Sequence, residues 1–271
     1  TRRSSDLNLA PIIKEIGRGA SGARGLDTEA ARSSFAALLA GDVSDVQLGA
    51  WWLAMRVKGE TPGELAAFVD AMQTTLAWRV RSDEPVVVLP CYNGARQLPN
   101  LTPLLAWALA QRGVRVLLHG VRADPTRVTT CELFSELGFP VVERAFDAEQ
   151  ALTSDGLGFA PIDALHPLLA ALLSRRWQIG VRSTPHTVTK LLDPVDGPTV
   201  RAVALTHGDY IDRMSAYFAT QSNASALVFR GCEGEPILHP KRAVTLGLFR
   251  NGVSVMHEWP GVAEHDLPDT C

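Results

Sequence analysis

The sequence predicts an α/β protein in which a small N-terminal helical bundle accompanies a larger α/β domain with a mostly parallel central sheet. Three observations lead to this prediction. Apolar residues recur with a helical period up to about residue 80, short apolar runs alternate with helical segments after Pro85, and a helical pattern returns near residue 165. We therefore assign residues 1–80 and helices from about 162–190 to the helical domain, and residues 84–160 and 195–271 to the α/β domain.

Capping signals mark the helices of the predicted bundle. The helical pattern begins at Asp6, and Ser44 is placed to cap a helix that covers residues 48–57. The run Thr61-Pro62-Gly63-Glu64 then puts a proline in the first turn of the next helix. Several amphipathic helices are therefore expected before the first strand.

Strands and helices alternate in the predicted α/β domain. The apolar runs at residues 86–89 and 114–118 predict buried parallel strands, and residues 140–142 are expected to begin a third strand. Thr129 and Glu132 form a capping-box pattern that predicts a helix before that third strand. The remaining predictions are strands at 200–205 and 226–229, a helix at 209–219, and a hairpin of 245–250 and 253–257 around Asn251-Gly252.

Composition narrows the class of protein. The net charge of -3 at pH 7 gives no global attraction to nucleic acid, so any polyanion site must come from local clusters of cationic side chains. The four cysteines lie far apart without a C-x-x-C pair, which argues against structural zinc and a dense disulfide framework. No signal-peptide pattern and no bilayer-length apolar run occurs, so we expect a cytoplasmic protein without a membrane partner.

Four segments carry a family resemblance. They are GDVSDVQLGAWWLAMRVKGETPGELAAF at 41–68, LLHG at 117–120, GFAPIDALHP at 158–167 followed by RRWQIGVRS at 175–183, and RGCEGEP at 230–236. In this order they resemble the N-terminal bundle, the Lys-His-Gly-Asn motif, the central helical return and the acidic metal segment of glycosyltransferase family 3. The best-known member of that family is anthranilate phosphoribosyltransferase. The resemblance covers nearly the whole chain and implies a nucleoside phosphorylase/phosphoribosyltransferase-like fold.

The expected phosphate loop departs from the pattern of these enzymes. The enzymes carry a Gly-Thr-Gly-Gly-Asp loop after the first strand, because only backbone without side chains can approach a pyrophosphate closely. Here residues 92–97 place side chains around a single Gly94, and Leu118 replaces the lysine of the second motif. The segment from Tyr92 onward most resembles the YbiB-type branch of the superfamily. That resemblance implies nucleic-acid binding rather than catalysis.

Two further motifs bear on activity. His119 is retained in the second motif, where it is either a general acid or base or a structural histidine hydrogen-bonded to the loop. Glu233 and Glu235 match the region in which the enzymes hold magnesium with an adjacent Asp-Glu pair. We expect no cofactor for a non-catalytic protein, and Mg²⁺ at these two glutamates only for a transferase. The alternative is that both carboxylates balance the cationic side chains of residues 230–242.

Two acid-free segments carry the predicted contacts to nucleic acid. Neither residues 85–123 nor residues 174–190 contain Asp or Glu, and arginine makes bidentate contacts with phosphate. If the helical return faces the α/β domain, both segments would line one positive groove. The alternative is that both are solvated helix ends and loops. The candidate residues for binding phosphate or nucleic acid are Tyr92, Asn93, Gly94, Arg96, Arg122, Arg175, Arg176, Arg182 and Lys190.

The third predicted helix is apolar on both faces. Trp51, Trp52 and Met55 suit a packed core on one face, and we expect the other face to form a homodimer contact, as the resemblance implies.

Taken with the altered loop and the acid-free segments, the sequence predicts a dimeric, non-catalytic protein that binds DNA or RNA through backbone phosphates with little sequence preference. A phosphoribosyltransferase or glycosyltransferase with an altered phosphate loop is the alternative, and a small-ligand binding protein is a third possibility.

Overall fold

The computed structural model describes residues 8–19, 21–92 and 94–262. The chain forms two compact units. The first contains the described residues up to Trp78 together with Ile162–Pro194, and the second contains Arg79–Pro161 and the described residues from Val195 onward. Among the described residues, no helix has the length and apolar character needed to cross a bilayer.

The elements follow one another in an order that separates the helical unit from the α/β unit. In chain order they are α1 (Ala10–Ile16), α2 (Thr28–Ala40), α3 (Asp45–Lys58), α4 (Pro62–Gln73), β1 (Val80–Arg81), β2 (Val86–Pro90), α5 (Thr102–Ala110), β3 (Arg115–Gly120), α6 (Thr130–Glu136), α7 (Ala145–Ser154), β4 (Leu157–Pro161), α8 (Ile162–Leu165), α9 (Pro167–Ser174), α10 (Arg176–Ile179), α11 (Thr184–Val188), β5 (Val195–Asp196), β6 (Thr199–Leu205), α12 (Gly208–Ala219), β7 (Ser225–Arg230), β8 (Val244–Arg250) and β9 (Val253–Trp259). Short 3₁₀ turns follow α11 and β7.

The helical unit packs around three aromatic rings. The ring of Phe35 lies 5.0 Å from that of Phe68 and 6.2 Å from that of Trp51, and all three side chains are fully buried. Such tilted and edge-on ring pairs stabilise the fold by more than the burial of their apolar area alone provides. The core prediction for the third helix is therefore confirmed.

The predicted caps of α3 and α4 are confirmed. The Ser44 hydroxyl accepts a hydrogen bond from the backbone N–H of Gln47, and Thr61 and Glu64 form a reciprocal capping box. Glu64 is fully buried, but its charge is compensated because Lys58 Nζ lies 2.6 Å from Oε2. Since a buried carboxylate without a partner is costly, this ion pair explains how the acid is tolerated inside the bundle.

The α/β unit is built on a seven-stranded sheet in the order β4-β3-β2-β6-β7-β8-β9. The strands from β4 to β7 are parallel, whereas β8 and β9 are antiparallel. The carboxyl ends of β2, β3, β6 and β7 therefore meet at one edge of the sheet, which is where open α/β sheets bind ligands. The separate pair β1 and β5 is parallel. The predicted fold class and the terminal hairpin at Asn251-Gly252 are both confirmed.

The prediction of a third strand at residues 140–142 is wrong. Val141 makes a single parallel bridge with Phe159, and the chain then enters α7. The strand that extends the sheet is β4, within a segment that the resemblance assigned to the helical return. Residues 139–142 are only long enough to pair once before the helix begins, so the apolar run alone was misleading.

Candidate functional site

The loop after β2 is shaped around Gly94. This glycine has a φ of +66°, and a Cβ atom there would lie 2.7 Å from the carbonyl oxygen of Val128. The close approach arises because Ala95 forms an antiparallel bridge with Val128, in the loop after β3. The one glycine that the loop retains is thus required by its backbone conformation and by its packing.

Glu235 brings a buried carboxylate into this loop. Its side chain is 2% exposed, and Oε1 accepts a hydrogen bond of 2.9 Å from the backbone N–H of Gly94. Its other oxygen, Oε2, lies 3.4 Å from the hydroxyls of Thr102 and Thr130. These threonines are the first residues of α5 and α6, where the helix dipoles favour a negative charge.

Glu233 binds the next part of the same loop. Its Oε2 accepts hydrogen bonds from the backbone N–H groups of Arg96, Gln97 and Leu98 at 2.7, 3.1 and 3.4 Å. Arg127 Nη1 lies 4.0 Å from the other oxygen. Burial raises the pKa of Glu233, but the three N–H donors and Arg127 outweigh it, so the pKa is lowered.

The backbone of Glu233 is strained. Its φ is +53°, and only one other non-glycine residue in the described part of the chain, the hairpin residue Asn251, has a positive φ. A left-handed conformation costs free energy for a residue with a Cβ, and such residues cluster at functional sites. In this conformation the Glu233 carboxylate contacts the loop.

Together the two glutamates act as internal anions at the predicted phosphate loop. Four backbone N–H groups of the loop donate to carboxylate oxygens of the same chain instead of pointing into an open cradle. Backbone donors of this kind are what bind phosphate in glycine-rich loops. The arrangement differs from the alternative interpretation of the sequence, in which nearby cationic side chains balance these carboxylates.

The structure gives little support for metal binding. Glu233 and Glu235 direct oxygens to N–H and hydroxyl donors, so fewer lone pairs remain for a hard cation that prefers six or more oxygen ligands. Within residues 8–19, 21–92 and 94–262, no group of three or more His, Cys, Asp or Glu side chains is placed to hold a metal ion. Magnesium at these glutamates stays a prediction.

Two predicted residues of the sheet edge, Tyr92 and His119, are buried. Tyr92 is 4% exposed, which favours a ring that covers the end of the sheet, and its contact with nucleic acid stays a prediction. His119 is fully buried at the end of β3, which favours its structural role over acid–base catalysis. Asn93 lies outside the described residues.

The predicted cationic residues of the α/β unit are accessible. Arg96 is exposed, and no ion pair or hydrogen bond to its guanidinium occurs within the described part of the chain. Arg122 pairs with Glu143 at 2.8 Å, and both side chains are exposed. An exposed pair of this kind is worth about 0–1 kcal/mol, so Glu143 holds the Arg122 guanidinium only weakly.

The cationic residues of the helical unit fall into two groups. Arg175, Arg176 and Arg182 are half-buried, and the Arg176 guanidinium lies 4.0 Å from the ring centroid of Trp177, which is 54% exposed. Lys190, by contrast, is 6% exposed, which disfavours a contact with nucleic acid, and its role stays a prediction. The 3₁₀ turn at Thr189–Leu191 buries all three of its side chains, and the acid-free composition of this segment gave no sign of that.

Sequence reasoning missed the partners of the two glutamates. Arg127, Thr102 and Thr130 were not among the predicted site residues, although Thr102 and Thr130 lie at predicted helix starts. The contacts join positions more than 100 residues apart, so no local pattern reveals them. Gly94 and Arg96 were correctly placed in this loop, but their donors bind carboxylates of the chain itself.

The chain is similar to known proteins over most of its length. Residues 10–75 match a family model described as "Glycosyl transferase family, helical bundle domain". The uncharacterized protein YbiB of Escherichia coli is 39% identical over 265 residues, which cover 96% of this chain and 82% of YbiB. Anthranilate phosphoribosyltransferase of Haloarcula marismortui is 26% identical over 206 residues, and the match covers 75% of this chain but only 62% of the enzyme.

Solved structures share the fold. Anthranilate phosphoribosyltransferase from Thermus thermophilus matches with a TM-score of 0.70 at 24% identity, covering 91% of this chain and 72% of that one. The enzyme from Saccharomyces cerevisiae in complex with PRPP and Mg matches with a TM-score of 0.72 at 14% identity, covering 93% of this chain and 72% of that one. The identity to YbiB and its coverage show that the chain belongs to the YbiB-type branch of the glycosyltransferase family 3, anthranilate phosphoribosyltransferase-like proteins.

Proposed function

We propose that this protein is a non-catalytic member of its superfamily that binds DNA or RNA through backbone phosphates with little sequence preference. The observation that carries the proposal is the occupation of the phosphate loop by Glu233 and Glu235. A transferase needs those N–H donors for its substrate, whereas a protein that contacts nucleic acid elsewhere does not.

The residues present do not fit a magnesium–pyrophosphate group. Glu235 fills the space between Gly94 and the first residues of α5 and α6 with its own negative charge. A pyrophosphate there would meet a like charge in a buried setting, where electrostatic repulsion is strongly felt. The loop also lacks the further glycines that would let the backbone approach a phosphate closely.

Accessible arginines in each unit support the binding of a polyanion. Arg96 offers an exposed guanidinium in the α/β unit, and Arg122 pairs there with an exposed carboxylate that a phosphate can replace. In the helical unit, Arg176 and the exposed Trp177 form a stacked cation–aromatic pair. Aromatic rings and arginines at the surface are the groups that bind bases and phosphates without reading sequence.

Fluorescence anisotropy of a labelled single-stranded oligonucleotide across a salt series tests the proposal. We expect affinity to fall linearly with salt on a double-logarithmic plot, because each bound phosphate releases a counterion. The variants Arg96→Ala and Arg176→Ala should each weaken binding severalfold, equally for every sequence tested. Each should also reduce the slope by about 0.7 for every phosphate that the variant no longer neutralises.

A matched arginine provides the control. Arg144→Ala removes the same charge from an exposed side chain that is 76% accessible and pairs with Asp147 one helical turn away. It should leave affinity and slope unchanged. A loss confined to one oligonucleotide sequence would contradict the backbone-contact proposal, and so would an equal loss in all three variants.

A transferase is the second candidate function. It is favoured by the similarity to anthranilate phosphoribosyltransferases, which extends over 206 residues for the Haloarcula marismortui enzyme. Phosphoribosyl pyrophosphate with magnesium would then raise the thermal midpoint of the protein. For a non-catalytic protein we expect magnesium to add nothing to any shift that the ligand gives alone, because Glu233 and Glu235 hold the donors that the pyrophosphate group requires.

We also propose that the protein forms a homodimer through its helical unit. Val46, Leu53 and Val57 of α3 are 83%, 49% and 66% exposed, whereas Trp51 and Trp52 of the same helix are fully buried. An apolar stripe opposite the buried face suits an interface between two copies. Light scattering should therefore give the mass of a dimer at micromolar concentration, and Leu53→Asp should give a monomer. A monomeric mass for the unaltered chain would remove the proposal.

A further inference from the structure

A pocket with a volume of about 360 Å³ opens at the carboxyl edge of the sheet, beside the loop that Glu233 binds. Gln97 and Leu98 from that loop line one side, and Thr206 follows β6. The rest of the lining lies between Arg230, the last residue of β7, and Val244, the first residue of β8. We propose that this pocket is a binding site for a phosphate monoester. The proposal is independent of nucleic-acid binding, because it concerns a different set of residues and a single phosphate group.

Two arginines give the pocket its charge. Arg230 and Arg242 both line it, and both side chains are exposed. Within residues 8–19, 21–92 and 94–262, neither guanidinium makes an ion pair or a hydrogen bond. Arginines that share a concave site without a carboxylate partner favour a divalent anion, because each guanidinium can donate two parallel hydrogen bonds to phosphate oxygens.

Other hydrogen-bonding groups of the pocket suit the same ligand. His239 Nδ1 accepts a hydrogen bond of 3.3 Å from the backbone N–H of Lys241, so Nε2 is the ring nitrogen that can donate to a ligand. Thr206 adds a hydroxyl to the lining. Burial raises the pKa of the Cys232 thiol, with Arg242 opposing and Glu233 adding to the effect, so the thiol stays neutral and does not repel an anion.

Glu233 limits the affinity of the pocket. It is the one acidic residue of the described lining, and its carboxylate is held at the wall by the N–H groups of Arg96, Gln97 and Leu98. Its negative charge opposes the binding of an anion in the same pocket. The Glu233→Gln variant keeps a carbonyl oxygen to accept the loop N–H groups but removes the charge, so it should bind phosphate more tightly than the unaltered protein.

Isothermal titration with inorganic phosphate at low ionic strength tests the site. Arg230→Gln and Arg242→Gln should each weaken binding about tenfold, the effect of losing a charged hydrogen-bonding partner. Glu233→Gln should strengthen it severalfold. The control Arg112→Gln removes an exposed arginine near the amino end of β3, at the opposite edge of the sheet, and should change nothing. No binding by the unaltered protein, or equal affinity in Arg230→Gln, Arg242→Gln and Arg112→Gln, would overturn the proposal.

Oligonucleotides identify the source of the phosphate. A preference for a 5′-phosphorylated over a 5′-hydroxyl oligonucleotide that disappears in Arg230→Gln would assign the pocket to the end of a nucleic acid. Equal affinity for the two oligonucleotides, with inorganic phosphate still bound, would assign it to a phosphorylated small molecule. If inorganic phosphate binds but the 5′-hydroxyl oligonucleotide does not, the proposed function fails while the pocket stands.

Discussion

Replacing Glu235 by alanine is expected to lower the free energy of unfolding by about 3 kcal/mol. The substitution leaves the Gly94 N–H and the hydroxyls of Thr102 and Thr130 without their carboxylate acceptor in a buried site. An unsatisfied buried donor costs about 1–3 kcal/mol, although the two threonine contacts are long at 3.4 Å and contribute less than the backbone contact. The midpoint of urea unfolding, followed by circular dichroism, measures this loss.

Two variants separate the causes of that loss. Glu235→Gln retains an oxygen that can accept from Gly94, so we expect it to lose less than half as much stability as Glu235→Ala. Glu136→Ala removes an exposed carboxylate of α6 and serves as the control. If Glu235→Ala unfolds at the same urea concentration as Glu136→Ala, the carboxylate does not hold the loop.

An added anion provides a more specific test of the same site. Formate matches the carboxylate that Glu235→Ala lacks, so it should raise the thermal midpoint of that variant and leave the unaltered protein unchanged. The linkage between binding and folding makes the shift depend on the concentration of formate. Restored stability would mean that the loop is an intact anion site occupied by its own chain. No restoration would mean that the loop collapses once the glutamate is removed.

Local sequence signals predicted most of the fold because its elements carry their own start and stop residues. Ser44, Thr61 and Thr129 cap the helices that the pattern indicated, and the glycine of Asn251-Gly252 turns the final hairpin. These signals act over three or four residues, so they can be read without knowing the tertiary structure. The wrong prediction at residues 140–142 shows the limit of local signals. The conformation of that segment depends on how far it can pair with β4, and its own apolar residues do not reveal this.

The candidate site was only partly predictable for the same reason. The loss of glycines around Gly94 indicated that the phosphate loop had changed. The structure shows why a glycine remains at position 94, where the positive φ and the nearby Val128 carbonyl leave no room for a Cβ atom. The acids that bind the loop lie about 140 positions later in the chain, and the pairing of each with its donors is a tertiary contact. The burial of a charged side chain also could not be predicted from its residue type, because Lys190 is 6% exposed.

The stability of the helical unit is expected to fall in mild acid because of His186. Burial, reinforced by the charges of Arg182 and Arg176, lowers the pKa of His186 to about 3, while the hydrogen bond with the Ser183 backbone raises it slightly and the charge of Arg56 lowers it slightly. The unfolded chain binds a proton near the usual value of about 6.5, so it holds more protons than the folded chain between about pH 6.5 and 3. Stability is therefore complete above about pH 6.5 and decreases as the pH falls through this window.

The size of the effect follows from the two pKa values. Lowering the pH to about 5 should cost the unaltered protein about 2 kcal/mol more than it costs His186→Gln, which cannot take up the proton. Glutamine is a suitable replacement because residue 186 is the third position of a capping box with Ser183, and a glutamine oxygen can accept the same N–H.

Urea unfolding at about pH 7.5 and about pH 5 measures the difference in stability between the two proteins. The exposed His207→Gln variant should keep the full pH dependence, and an equal dependence in His186→Gln would place the acid sensitivity elsewhere. His186 packs edge-on against Trp52 and is close enough to Arg176 and Arg182 for their charges to lower its pKa, so a charge on its ring would repel the arginines that we propose contact nucleic acid.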